Sequence, residues 1–330
     1  MNMETTIENP NAGGCSLQRF VSPLGVDLFG EPITAQNASK LANDWGGAPP
    51  FSVLSARDGA WQERKAGWIG YGLQSEVGRT VEGQNCTSGK NTCMLEGEGA
   101  ATSIFDPVLC ELVYRWWTPA GAQILDPFAG GSVRGIVAAL LDRKYWGVEL
   151  REEQVAANYQ QGNQICPASI GGGSLYWRNG DSLDEIESSP NADFVFSCPP
   201  YGDLERYSEN PKDLSTMEYH TFLAAYKRII LRCAKKLKTD SFACFVVGDF
   251  RDVKTGNYRG FVADTVNAFR EVGMELYNDA ILLTPTGSLP VRAGRQFRGG
   301  RKLGKAHQNI LLFVKGDGRK AAAKCGDFEG

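Results

Sequence analysis

No apolar run in this sequence approaches the ~20 residues that a membrane-spanning helix requires, although 42% of its 330 residues are hydrophobic. That content is enough for one large core and a small appendage, and no membrane partner is expected. The opening stretch, MNMETTIENPNAGG, lacks a hydrophobic signal core, so secretion is not expected. CxxC pairs are absent as well. The nine cysteines are scattered, and the closest two, Cys86 and Cys93, have six residues between them. An odd count with that spacing signals neither a disulfide framework nor a zinc site. We therefore expect no metal and a reducing, cytoplasmic compartment. A bias of charge is missing too: the net charge is −3, which does not mark a nucleic-acid binder. Yet one stretch, from Thr284 to Ala306, lacks Asp and Glu altogether. It carries Arg292, Arg295, Arg298, Arg301, Lys302 and Lys305 among glycines. Such a stretch is either a phosphate-binding footprint or a solvated, flexible loop.

The pattern of what is present divides the chain. Residues 1–50, rich in Asn, Gly, Pro and Ala, show weak periodicity and are expected to be poorly structured. Residues 51–79 carry Trp61, Trp68 and Tyr71 and read as a compact helical piece, with a polar linker following to 101. From Ile104 the pattern alternates. Asp106 and Pro107 form a helix start before Val108, Leu109, Leu112, Val113 and Trp116. Then come AQILD, VRGIVAALLD, YWGVEL, REEQVAANYQQ, SLYWRN, DFVFS, MEYHTFLAAYKRIILRCAKKL, SFACFVVGD and RGFVADTVNAFREVG, strands alternating with helices. ELYNDAILLT and QNILLFVK close the series with no helical pattern between them, as antiparallel neighbours would. The expectation is a doubly wound, mostly parallel α/β sheet of seven strands over 102–316, with a basic loop at 284–306 and a tail at 317–330.

Asp126-Pro127-Phe128-Ala129-Gly130-Gly131-Ser132 joins the first of these strands to its helix. Open α/β sheets bind ligands beyond the carboxyl ends of their strands, and the paired glycines let a ligand approach the backbone. Glu149 ends the next strand, 23 residues after Asp126, where an acid accepts hydrogen bonds from ribose hydroxyls. Asp181, after the third strand, offers an acceptor for an adenine amino group. By itself this is a nucleoside-binding pattern. Gly130-Gly131-Ser132-Val133-Arg134-Gly135 departs from G-x-G-x-x-G, which counts against a nicotinamide cofactor.

Ser197-Cys198-Pro199-Pro200-Tyr201 follows the apolar strand DFVFS. With DPFAGG and the acid-ended second strand before it, this turn resembles the amino-methyltransferases that modify DNA. They carry a D/N/S-P-P-Y/F/W tetrapeptide at this place. The resemblance covers roughly residues 104–316, and the last strand, His307 to Lys315, is similar too. It implies a class I methyltransferase fold and transfer of a methyl group from S-adenosylmethionine to the exocyclic amino group of adenine or cytosine in double-stranded DNA, the target base flipped out. It also implies a bacterial or phage setting of DNA modification. On this resemblance Phe105, Asp126, Pro127, Phe128, Gly130, Gly131, Ser132, Glu149, Leu150, Asp181 and Ser182 hold the cofactor. Cys198, Pro199, Pro200 and Tyr201 hold the base, and Arg292, Arg295, Arg298, Arg301, Lys302 and Lys305 hold DNA. Asp203, Glu205, Arg206 and Tyr207 form a candidate lid.

The chemistry explains the tetrapeptide. A base amino nitrogen is conjugated with its ring and is a poor nucleophile. Acceptors at Cys198 and at the Pro199 carbonyl would hold its hydrogens and aim its lone pair, a positioning effect. Consecutive prolines lack amide donors and stiffen the turn, and Tyr201 would stack on the extruded base. Cys198 departs from the family pattern, since a thiol is a weaker acceptor than a carboxylate or amide oxygen. Alternatives in the same motif are an RNA or a protein amide as substrate, or an inactive DNA-binding module.

Overall fold

The computed structural model describes residues 48, 50–73, 105–202, 210–287 and 289–327. Nearly all of the expected poorly structured segment 1–50, the linker at 80–101 and the candidate lid at Asp203, Glu205, Arg206 and Tyr207 lie outside the described residues. In chain order the elements are β1 (Val53–Ser55), α1 (Gly59–Gly70), α2 (Pro107–Trp117), β2 (Gln123–Asp126), α3 (Val133–Leu140), β3 (Lys144–Glu149), α4 (Glu152–Ile165) and α5 (Pro167–Gly171). They continue with β4 (Leu175–Asn179), α6 (Ser182–Glu185), β5 (Ala192–Ser197), α7 (Tyr219–Lys236), β6 (Leu237–Val247), α8 (Phe261–Glu271), β7 (Glu275–Leu283), α9 (Leu289–Gly300), β8 (His307–Lys315) and α10 (Gly318–Lys324).

The strands form one sheet in the order β1-β7-β8-β6-β5-β2-β3-β4. Every neighbouring pair is parallel except those made by β8, which runs antiparallel to β6 and to β7. The order reverses between β2 and β5. A crevice therefore opens beyond their carboxyl ends, where such sheets bind ligands.

Local chemistry starts and packs these elements as the sequence suggests. The Asp106 carboxylate accepts from the Val108 amide at 3.0 Å, capping α2 above Pro107. Helix α7 turns Phe222, Tyr226, Ile229, Ile230 and Cys233 toward the sheet, all buried. Gly135 allows α3 to lie close on the sheet: a Cβ there would sit 2.7 Å from the Trp177 ring. Apolar side chains fill both faces, each fully buried one worth roughly 1.5–3 kcal/mol. Leu112, Ile136, Val137 and Phe196 lie in one layer and Phe222, Phe245, Phe261 and Phe313 in the other.

Two expectations are corrected. The sheet has eight strands, not seven, because residues 53–55, expected to be helical, pair with β7 in the register Val53↔Ile281 to Ser55↔Leu283. Three residues are too short for a visible strand period, and the sheet edge supplies what the sequence does not. The basic stretch, expected as a loop, contains helix α9, whose residues are all at least partly exposed. Its glycines concealed that helix. The tail carries α10, capped by Asp317 through the amides of Arg319 and Lys320 and seated by buried Ala321. Residues 51–73 are tied down at a second place, on helix α2: Glu111 accepts from Arg64 and, at 2.8 Å, from Trp68 Nε1.

Candidate active site

The two motifs are joined by a carboxylate that lies beneath the cavity they line. Asp126 ends β2 and is fully buried. Its Oδ1 accepts from Ser197 Oγ at 2.5 Å and from the Phe128 amide at 3.1 Å. Its Oδ2 accepts from Arg134 Nε at 2.6 Å and from Tyr145 Oη at 2.7 Å. Ser197 is the last residue before the CPPY turn. Asp126 thus bonds the start of the glycine turn to the start of the tetrapeptide and holds both ends of the crevice in register. Expected as a cofactor contact, it is a pin beneath the site. A carboxylate accepts about four hydrogen bonds, and all four are used.

Arg134, which sequence reasoning passed over, completes the pin. It is buried, lies with its guanidinium carbon 4.5 Å from the Phe105 ring centroid, and donates to the carbonyls of Phe128 at 2.5 Å and Ala129 at 3.0 Å. Burial, the largest single influence, lowers its pKa, but the Asp126 carboxylate together with Tyr145 and Cys198 more than offsets it and the guanidinium stays charged. Ser132 is buried and bonded to Gln161, so it too stands behind the turn. Ser182 is bonded to the Pro127 carbonyl.

Above this base lies a cavity of about 950 Å³. Phe105, Pro127, Phe128, Gly130, Gly131, Glu149, Leu150, Asp181 and Ser182 line it, and so do Cys198, Pro199, Pro200 and Tyr201. Gly130 adopts φ +53°, a conformation that glycine takes without strain. Its amide donates to Glu149 Oε2 at 3.0 Å, and its carbonyl accepts from Asn158 Nδ2 at 2.8 Å. Glu149 Oε1 accepts from the Arg151 amide at 3.0 Å. The carboxylate is thus fixed at the cavity wall. Asp181 caps α6 through the Leu183 amide at 2.9 Å, with Lys212 Nζ at 3.8 Å from its other oxygen.

The tetrapeptide forms the opposite wall. Cys198 Sγ lies 3.9 Å from Tyr201 Oη, which accepts from Gln308 Nε2 at 2.8 Å. Phe250 and Phe261 meet the Tyr201 ring edge-on. Asp249 Oδ1 accepts from the amides of Phe250, Gly260 and Phe261, so its role here is to hold the start of α8. Of the six basic residues, Arg292 and Lys305 line the cavity, while Arg295, Arg298 and Arg301 are exposed outside it and Lys302 sits beside Gly256. His220 is exposed on α7. Gln308, His307, Arg251 and Tyr258 are further wall residues. His307 and Gln308 begin the last strand, which the sequence singled out, whereas no local motif marks Arg251 and Tyr258, which come from a segment remote in sequence from the two turns.

A sheet with this strand order, an antiparallel β8 between β6 and β7 and a glycine turn after β2 is the class I methyltransferase fold. No protein-family model matches the sequence, and no curated protein does. Among solved structures, TrmN from Thermus thermophilus is 12% identical with a TM-score of 0.41, over 64% of this chain and 49% of that one. The chain thus spans about half the length of TrmN. Magnesium protoporphyrin IX methyltransferase from Synechocystis PCC 6803, solved with bound SAM, is 11% identical with a TM-score of 0.39, over 63% of this chain and 79% of that one. A second Thermus thermophilus protein, provisionally named a DNA modification methylase, is 22% identical with a TM-score of 0.32, over 42% of this chain and 51% of that one. Among the described residues no helix is long and apolar enough to cross a membrane, and no group of His, Cys, Asp and Glu is placed to hold a metal ion.

Proposed function

We propose that the protein is an S-adenosylmethionine-dependent methyltransferase acting on the exocyclic amino group of adenine or cytosine in DNA. The observation that carries this reading is the shared cavity: the glycine turn with Glu149 and Asp181 faces the Cys198–Tyr201 turn across one space. The donor set fits the cofactor. Glu149 is held at the wall by the amides of Gly130 and Arg151, and a carboxylate is the acceptor type that ribose hydroxyls require. Phe105 and Phe128 supply apolar surface, and Asp181 faces the same space.

When bound, S-adenosylmethionine supplies an electrophilic methyl group on a sulfonium. The chain's part is positioning. The Pro199 carbonyl and Cys198 Sγ accept the two amino hydrogens, which directs the nitrogen lone pair across the cavity. Tyr201, braced by Gln308 and Phe250, provides the stacking face. Transfer forms the nitrogen–carbon bond and breaks the carbon–sulfur bond, leaving S-adenosylhomocysteine, and the extra amino proton passes to solvent at the open side of the cavity. The exposed arginines of α9, outside the cavity, suit contacts with a polyanion.

The test is transfer of a labelled methyl group from S-adenosylmethionine to unmethylated duplex DNA, followed by nucleoside analysis. N6-methyladenine or N4-methylcytosine is the expected product. Label appearing only in RNA or protein, or binding without transfer, would sink the reading.

A further inference from the structure

Two cations inside the cavity have no counterpart in the positioning of a base. Arg292, in the first turns of α9, lines the wall with its Nε shielded from solvent and without a hydrogen-bond partner. It forms no ion pair among the described residues. Lys305, just before β8, lines the same wall and places Nζ 3.1 Å from His307 Nε2. An ammonium only donates, so His307 accepts at Nε2 and carries its proton on Nδ1. Burial pushes the Lys305 pKa down, partly opposed by Asp249, and burial together with Lys305 lowers that of His307. Asp249 does not neutralise this group by contact, since its Oδ1 is taken by three backbone amides and no ion pair to Lys305 occurs among the described residues. Shielding cationic groups with no anionic partner is costly, and a bound oxyanion would offset that cost.

The location fixes what the anion belongs to. A Cβ built on Gly248 would lie 3.5 Å from Lys305 Cε and 3.7 Å from Tyr201 Oη. The lysine stem therefore runs beside the ring that faces the substrate. Arg295 and Arg298, one and two turns further along α9, are exposed and take no part in the cavity. The basic stretch thus has an inner pair of charges and an outer set.

We propose that Arg292, Lys305 and His307 form an oxyanion subsite that holds the phosphate of the nucleotide whose base rests on the Cys198–Tyr201 turn. This rests on the base-methylation reading for the identity of the anion. The guanidinium of Arg292 offers paired donors to two phosphate oxygens, and Lys305 a point charge. His307 orients Lys305 through the existing hydrogen bond. The outer arginines are left for phosphates of the flanking chain.

The experiment compares ligands that differ only in phosphate. Binding of dAMP and deoxyadenosine, and of dCMP and deoxycytidine, is measured by calorimetry on the full chain saturated with S-adenosylhomocysteine. The 5′-nucleotide of the accepted base should bind about tenfold tighter than its nucleoside, the scale of one charge-assisted contact. Arg292→Gln and Lys305→Gln should each bring that ratio to within about twofold, with nucleoside and S-adenosylhomocysteine affinities unchanged. In the wild-type chain, inorganic phosphate should compete with the nucleotide and not with the nucleoside, a result that needs no variant. Equal affinities for nucleotide and nucleoside, no binding of either, or a ratio that survives both substitutions would overturn the subsite. A ratio that behaves as expected in a chain that never methylates DNA would leave the subsite standing and remove the DNA reading.

Discussion

Cys198 is the residue at which this chain departs most from the family it resembles. Its Sγ lies 3.9 Å from Tyr201 Oη at the cavity wall. If it serves as an acceptor for an amino hydrogen, a better acceptor of similar size should serve as well. Cys198→Ser is therefore expected to keep or raise turnover, and Cys198→Ala to lower kcat without weakening cofactor binding. Complete loss in the serine variant, with the fold intact by circular dichroism, would give the thiol a specific role instead. Arg134 and Lys305 make a second contrast. Removing Arg134 leaves Asp126 buried and uncompensated, so Arg134→Met should destabilise the chain by about 3–5 kcal/mol. Lys305 has a folded pKa below its unfolded value. Between those two values the unfolded chain binds more protons, so this residue's contribution makes stability rise with pH there. Below both values the buried charge is a standing cost. At neutral pH Lys305→Met should consequently not lower the unfolding midpoint. Urea denaturation of the two variants measures both, and a large loss for Lys305→Met would show that the lysine is structural.

At the scale of elements, the connection from β7 to β8 illustrates how glycine misleads. Gly294, Gly299 and Gly300 interrupt the arginines, and each glycine costs a helix up to about 1 kcal/mol relative to alanine. The sequence consequently reads as a loop, yet Leu289–Gly300 is helical. The base of this connection is closed by backbone and side-chain bonds: the Thr284 amide donates to the Ala306 carbonyl at 3.1 Å, and Arg57 Nε donates to the Thr284 carbonyl at 2.8 Å. A helix presents its arginines at a fixed spacing rather than on a pliant strand of chain. Neutralising Arg295, Arg298 and Arg301 together should weaken DNA binding and flatten its salt dependence by up to about three counterion units. Loss of sequence preference at a constant salt slope would point to base readout, and no change at all would return α9 to the status of a solvated surface.

Across the whole molecule, the two halves of the crevice should fail separately. Glu149→Ala removes an acceptor on the β3 side and should weaken S-adenosylmethionine binding several-fold, measured by calorimetry. Tyr201→Ala removes the stacking face on the β5 side and should depress kcat far more than cofactor affinity. Equal effects of both on cofactor affinity would mean that the walls do not divide the labour in this way. The sequence alone determined the alternation of strands and helices, the Asp106 cap, the antiparallel last pair and the membership of DPFAGG and CPPY in strand-end turns. Those signals are local: a period, a cap or a turn is written within a dozen consecutive residues. What only the tertiary structure decided depends on partners far apart in sequence. Asp126 meets Ser197, Arg57 meets Thr284, and Lys305 comes to lie beside Tyr201. Whether a carboxylate faces a ligand or is consumed by buried donors is set by the side chains around it, and no local pattern carries that information.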